Sequence, residues 1–244
     1  MATKKLDAHL IREHKISPLQ TYLREIVYGG NDGIVTTFAV VAGFTGANAS
    51  ATIPSLTPVV VLLFGMANLV ADAASMGLGN FLSIRADKDV YKTHEAKERY
   101  EIQHEPEHEK EETMLILKEN GFSDQDARTL TGIYAKNEKY WTDFMMKYEL
   151  EMSDPSGDNP FLTSLATFSA FIAFGFIPLI PYFVFPSENP FVPSLIATFS
   201  ALVLLGLLRW RITLENVFRS VSEIVLIGGT AAILAYIVGT FFAI

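Results

Sequence analysis

The sequence predicts an all-α, polytopic membrane protein with five transmembrane helices and a polar helical domain inserted between the second and third spans. Three observations carry this. Phe161–Phe185, Phe191–Leu208 and Ile224–Ile244 contain no charged residue, and each is long enough, or nearly so, to cross a hydrocarbon core that needs ~20 helical residues. Two further apolar runs precede residue 87. Between the two apolar blocks, Asp87–Met152 holds 17 of the 27 acidic residues and three of the five histidines. That stretch also carries Trp141, Phe144, Met145 and Met146 in a helical pattern, so it is expected to fold rather than trail as a disordered segment.

Composition narrows the partners. Net charge is −8, and −7 of it lies in the insert, which excludes nucleic acid and favours cations. There is no cysteine, hence no disulfide framework and no thiolate metal site. Met1–Ser17 is polar and has no apolar core before a small-residue cleavage site, so no cleavable signal peptide is expected.

In chain order, residues 1–25 form a mixed-charge N-terminal segment, and 26–86 hold the first two spans. The first reads from about Ile26 to Ala47, with Gly29, Gly30, Asn31, Asp32 and Gly33 interrupting its early part. The second runs from about Pro58 to Ile84 and is crowded with small residues, which lets it approach other helices closely. No Gly or Pro follows between Arg85 and Glu105, so this helix is free to continue into water. Residues 87–155 form the insert. Its first helix stops at Pro106, which removes a helical hydrogen bond. Glu107–Asn120 follows, ended by Gly121. Asp124–Lys136 is capped by Ser123, and Glu138–Met152 comes last. Residues 156–244 hold spans three to five, with Pro178 and Pro181 near the far end of the third. Lys and Arg lie in the N-terminal segment, the insert and the Arg209–Arg219 loop, and are absent from the other two loops. That bias places the N-terminus and insert in the cytoplasm and the C-terminus outside.

Asp32 and Asp72 are the informative residues of the apolar blocks. An acid at membrane depth is costly and usually lines a pathway or pairs with a partner, and the spans offer no Lys or Arg partner. Asn68, Asp72, Met76 and Asn80 are four apart and share one helical face. Met76 alone reads as packing; Asp32, Asp72 and Met76 together read as a cation pathway, with Asn68 beside them. Carboxylates with a thioether suit divalent transition metals better than Mg or Ca. Such carboxylates also bind protons, so exchange of metal for protons is physically natural.

In the insert, Glu98, Glu101 and Glu105 recur with His94 at three- and four-residue spacing. Glu109 and Glu112 repeat the pattern on the second helix, and Met145 and Glu149 on the last, beside Met146. Any one of these glutamates reads as part of a solvated face. Together they repel along the helix, and a bound cation relieves that repulsion. Glu101-x-x-His104 and Glu105-x-x-His108 match the spacing of ferritin-like di-iron helices. That ferroxidase reading is set aside, because both pairs fall on one short stretch with Pro106 inside the second.

The runs Tyr28-Gly29-Gly30-Asn31-Asp32-Gly33 and Ala42-Gly43-Phe44-Thr45-Gly46-Ala47-Asn48 resemble the first span of the vacuolar iron transporter family. So do Ser75-Met76-Gly77-Leu78-Gly79, Asp143-Phe144-Met145-Met146-Lys147-Tyr148-Glu149-Leu150 and Pro178-Leu179-Ile180-Pro181-Tyr182. The resemblance, to a bacterial-type member, covers nearly the whole chain. It implies five membrane helices per subunit, a cytoplasmic helical metal-binding domain extending from the second span, and a homodimer with the pathway between subunits. It implies export of Fe(II), and of other divalent metals, from the cytosol in exchange for protons. By position, Asp32 and Met76 would line the pathway, and Glu98, Glu101, Glu109, Glu112, Met145, Met146 and Glu149 would bind metal in the cytoplasm. Asn68 stands where plant members carry an acid, a role that Asp72 would take over one turn along.

The expectation is therefore a membrane transporter and not an enzyme. It exports Fe(II) and Mn(II), with Zn(II), Co(II) and Ni(II) in its chemical range, has no permanently bound cofactor, and takes protons, the lipid bilayer and a second copy as partners. It would lie in a prokaryotic cell membrane, or in a vacuolar membrane if eukaryotic. The alternative is a membrane-anchored metal buffer or sensor, which would not need Asp32 and Asp72.

Overall fold

A computed structural model describes residues 18–49, 57–185 and 189–241. The N-terminal segment up to residue 17, most of the loop after the first span, and residues 186–188 lie outside the described residues. The described residues form helices and no strand. In chain order they are α1 (Pro18–Thr21), α2 (Leu23–Ala49), α3 (Pro58–His104), α4 (Pro106–Glu119), α5 (Asp124–Tyr134), α6 (Glu138–Tyr148), α7 (Pro160–Gly175), α8 (Ile180–Val184), α9 (Phe191–Thr213) and α10 (Val217–Phe241). Single 3-10 turns at Pro155–Gly157 and Ile177–Leu179 join them. Four segments among the described residues are long and apolar enough to cross a membrane: Pro58–His104, Pro160–Val184, Phe191–Thr213 and Val217–Phe241. Leu23–Ala49 is also long, at 27 residues, but Asn31, Asp32 and its glycines dilute its apolarity and it falls short of those four.

The chain divides into two compact units, one from Met1–Phe81 and Phe161–Ile244, the other Leu82–Pro160. In the first, α2 packs against α9 and α10. Its core holds Phe38, Val41, Leu69, Ala73, Phe171 and Leu179 in one cluster, and Ile34, Leu202, Leu205 and Ile224 in another. The glycines of α2 do not interrupt it, contrary to the sequence expectation. A side chain on Gly33 would collide with the backbone carbonyl oxygen of Phe171 on α7. The glycine is there to let two helix backbones meet, the usual role of small residues in membrane interfaces. Pro178 and Pro181 break the third apolar segment, as each lacks an N–H for the helical ladder. The backbone stays satisfied: Ile180 N–H donates to the Ile177 carbonyl, and the Ser194 hydroxyl of α9 donates to the Pro178 carbonyl at 2.6 Å. Freed carbonyls at membrane depth need such partners.

The second unit follows its local signals closely. The helix begun at Pro58 runs on without a break to His104, and Pro106 opens α4 at its first turn. Gly121 takes φ +93°. Gly121 N–H bonds the Lys118 carbonyl at 3.0 Å and Phe122 N–H that of Leu117 at 3.1 Å, the paired bonds of a glycine-ended helix. The Ser123 hydroxyl accepts from Asp126 N–H at 3.2 Å and caps α5. α5 and α6 end earlier than expected, at Tyr134 and Tyr148. Glu149 is therefore the capping residue of α6 rather than a member of it, and Glu151 turns the chain with φ 53°. Ile102, Leu117, Ala127, Trp141, Phe144 and Met145 form the core.

Candidate metal centre

The buried face of α4 is Glu109, Thr113 and Leu117, residues four apart and so stacked on one side of the helix. Two of the three are polar. Glu98 on α3 is 3% exposed, and Glu109 likewise 3%. A carboxylate oxygen from each of Glu98, Glu109 and Glu149 lies within 4.8 Å of the others. Glu98 Oε1 and Glu109 Oε2 are buried with no hydrogen-bond partner. Such orphaned acceptors are rare in a settled interior, and a cation supplies what they lack. Oxygen donors at this spacing fit a hard or borderline divalent ion.

Burial and like charge favour the protonated forms in this cluster. Burial, then the neighbouring Glu109 and Glu149 carboxylates, push Glu98 up to about 8. The contact between the two carboxyls raises Glu98 further and works the other way on Glu109. Burial is also the main cause that raises Glu109, and burial with the Glu112 and Glu109 charges raises Glu149. A group kept neutral by desolvation and like charge gives up its proton when a cation takes its place.

Glu101 and Glu112 stand around this core rather than in it. Lys97 reaches Glu101 at 3.1 Å, and the His108 ring lies 3.5 Å from Glu112; both carboxylates still act electrostatically on the buried Glu109 and the exposed Glu149. Met145 and Met146 are fully buried. Met145 Sδ is 3.2 Å from the Thr113 hydroxyl, which also reaches the Glu109 carbonyl at 2.7 Å. The Trp141 indole N–H donates to the same hydroxyl oxygen at 2.7 Å. Sequence reasoning did not single out Thr113, although the Glu109–Thr113–Leu117 spacing carried the signal. His94, His104 and His108 are exposed. His104 stacks on Tyr100 with ring centroids 3.9 Å apart.

The apolar unit holds a second set. Asp72 accepts from the Asn68 carboxamide at 2.7 Å, and Asp32 lies close enough for the Asp72 charge to act on it. Neither acid has a Lys or Arg partner among the described residues. Met76 is partly buried against the core. Asn80 is turned to α7, where it donates to the Thr167 hydroxyl at 2.9 Å, so it leaves the stripe shared by Asn68, Asp72 and Met76.

The sequence profile of the VIT family matches residues 23–240. The chain belongs to the VIT family. Among its relatives, vacuolar iron transporter 1 of Arabidopsis thaliana is 34% identical over 215 residues, covering 88% of this chain and 83% of that protein. The vacuolar iron transporters of Centaurea cyanus and Toxoplasma gondii are each 33% identical, over 92% and 98% of this chain and 89% and 82% of theirs. The matched VIT region takes in both acidic sets, from Asp32 to Glu149.

Proposed function

We propose that this VIT chain exports Fe(II) from the cytosol in exchange for protons, and that Mn(II) and other divalent transition metals share the route. The observation that carries the reading is the Glu98–Glu109–Glu149 cluster, in which the buried Glu98 and Glu109 each hold a carboxylate oxygen that lacks a partner. The names of the relatives support iron as cargo. Glu101, Glu112, Met145 and Met146 complete the site; carboxylates suit Fe(II) and Mn(II), and thioether sulfur tilts preference to softer ions. The cluster collects metal on the cytoplasmic side and surrenders protons as it does so. Asp32, Asp72, Met76 and Asn68 line the membrane pathway, and the acids there exchange metal for protons by the same competition. This favours transport over a buffer or sensor, which needs no acid in its apolar unit.

In this reading α2 is the fifth span, its acid being the reason its apolarity is low. The basic loops keep the N-terminus and the Leu82–Pro160 unit cytoplasmic. Two copies form the working unit, with the pathway between them. The membrane is that of a prokaryotic cell, or of a vacuole in a eukaryote; the named relatives are vacuolar.

The test is Fe(II) uptake into proteoliposomes under an imposed proton gradient, with the membrane potential clamped. Wild-type protein should accumulate metal until a protonophore is added. Asp32→Ala and Met76→Ala should each abolish or greatly reduce flux while equilibrium metal binding persists. Normal flux in both variants places the pathway elsewhere, and accumulation indifferent to the protonophore removes the proton coupling.

A further inference from the structure

We propose that the membrane unit carries a binding site for one anionic glycerophospholipid, in the cavity between the start of α2, the end of α9 and the start of α10. The cavity measures about 510 Å³, within the range of sites that hold small ligands. Its charged lining is Arg24, Arg209 and Glu223, joined by the polar Thr213, Asn31 and Tyr28. Its apolar lining includes Leu23, Val27, Ile224 and Ile227. On two walls a charge gives way to an aliphatic side chain within one turn: Arg24 to Val27 on α2, and Glu223 to Ile227 on α10. That is the profile of a headgroup and the upper part of an acyl chain.

The charges select the headgroup. Arg209 is held in place by Glu223 at 2.8 Å and Glu215 at 3.7 Å. Two partners do not exhaust the five N–H donors of a guanidinium. Arg24 has no ion-pair or hydrogen-bond partner among the described residues. Two arginines against one glutamate leave the lining with an excess of one positive charge. A phosphodiester carries one negative charge and accepts guanidinium hydrogen bonds bidentately. A divalent cation is repelled by the same excess. A free phosphate satisfies the arginines but leaves the aliphatic wall wet. Trp210, next to Arg209 and 40% exposed, is the residue type that sits at headgroup level. The proposal rests on these helices lying in a membrane and is independent of the metal reading.

The test uses the full-length protein in mild detergent, equilibrated with phosphatidylglycerol or phosphatidylcholine and examined by native mass spectrometry. One phosphatidylglycerol per chain should survive delipidation that strips phosphatidylcholine. Arg24→Gln should weaken retention about tenfold, the ratio expected from losing one charge-assisted hydrogen bond. Ile227→Trp, which fills the apolar wall and leaves every charge in place, should do the same. Arg211→Gln, an exposed arginine outside the cavity, should retain the lipid as wild type does. Equal retention of phosphatidylcholine overturns the proposal. So does equal loss in Arg211→Gln, or displacement of the lipid by inorganic phosphate.

Discussion

Glu98 is surrounded by charge of its own sign and shut away from water, and its proton carries the consequence. Its carboxyl is held up to about 8, against an ordinary value near 4.5 that it regains on unfolding. Between those two pH values the folded protein binds more protons than the unfolded one, so stability falls as pH rises. The contribution is fully present below about pH 4.5 and is lost by about pH 8. The metal-free protein should therefore melt at a lower temperature at pH 8 than at pH 5, as read by the near-UV signal of the polar unit. Each kcal/mol moves the midpoint by roughly 4–8 °C in a domain of this size. Fe(II) or Mn(II) should recover the loss at pH 8. Glu98→Gln, neutral at every pH, should flatten the slope and remove the recovery; an unchanged slope would show that the cluster does not hold this proton. The sequence supplied all five glutamates but not their ranking. Glu98 and Glu109 differ from Glu101 and Glu112 in which side of their helix turns inward, which long-range packing fixes, while the exposed Glu149 joins them from the end of α6.

At the scale of elements, the helices of the polar unit were readable where a boundary has a local cause, and less so at the ends of α5 and α6, which come early. Pro106, Gly121 and Ser123 act through their own backbone or side chain, and the ends fall within a residue or two of where those residues put them. The early part of α2 was not readable in this way. A cluster of glycines beside an acid looks like a weakness in isolation, and only the arrival of the α7 backbone gives it a purpose. Gly33→Ala should therefore destabilise the detergent-solubilised protein by about 1–3 kcal/mol, the usual cost of overfilling a packed contact. Gly43→Ala on the same helix meets nothing within 4 Å and should be neutral or slightly stabilising, given the higher helix propensity of alanine. Equal melting temperatures for the two variants would deny the close approach at Gly33.

At the scale of the whole molecule, the all-helical class followed from long charge-free runs and from the helical pattern within the polar stretch. The exit of α3 from apolar into acidic sequence, within a single helix, followed from the lack of any breaker between Arg85 and Glu105. A candidate metal site was legible as a surplus of acids. What was not legible is that the surplus closes on a hydroxyl and an indole, since Thr113 and Trp141 meet across 28 residues.

That contact gives the protein an optical reporter of its own. The chain has two tryptophans; Trp210 is partly exposed in the membrane unit, while Trp141 is sealed in the polar unit. The indole of Trp141 is bonded to a hydroxyl that touches both the Met145 sulfur and the Glu109 main chain. An ion that draws in Glu109 or Met145 must alter this bond, so metal loading should shift or quench the emission of Trp141 without any added dye. With Trp210→Phe the whole signal comes from Trp141, and titration with Co(II) or Mn(II) should give a saturable change that Thr113→Val blunts and Thr113→Ser preserves. A flat trace at saturating metal would mean that the ion never reaches this corner of the protein. A saturable one would turn cargo arrival, the step before any crossing, into something watched in real time by its colour of light.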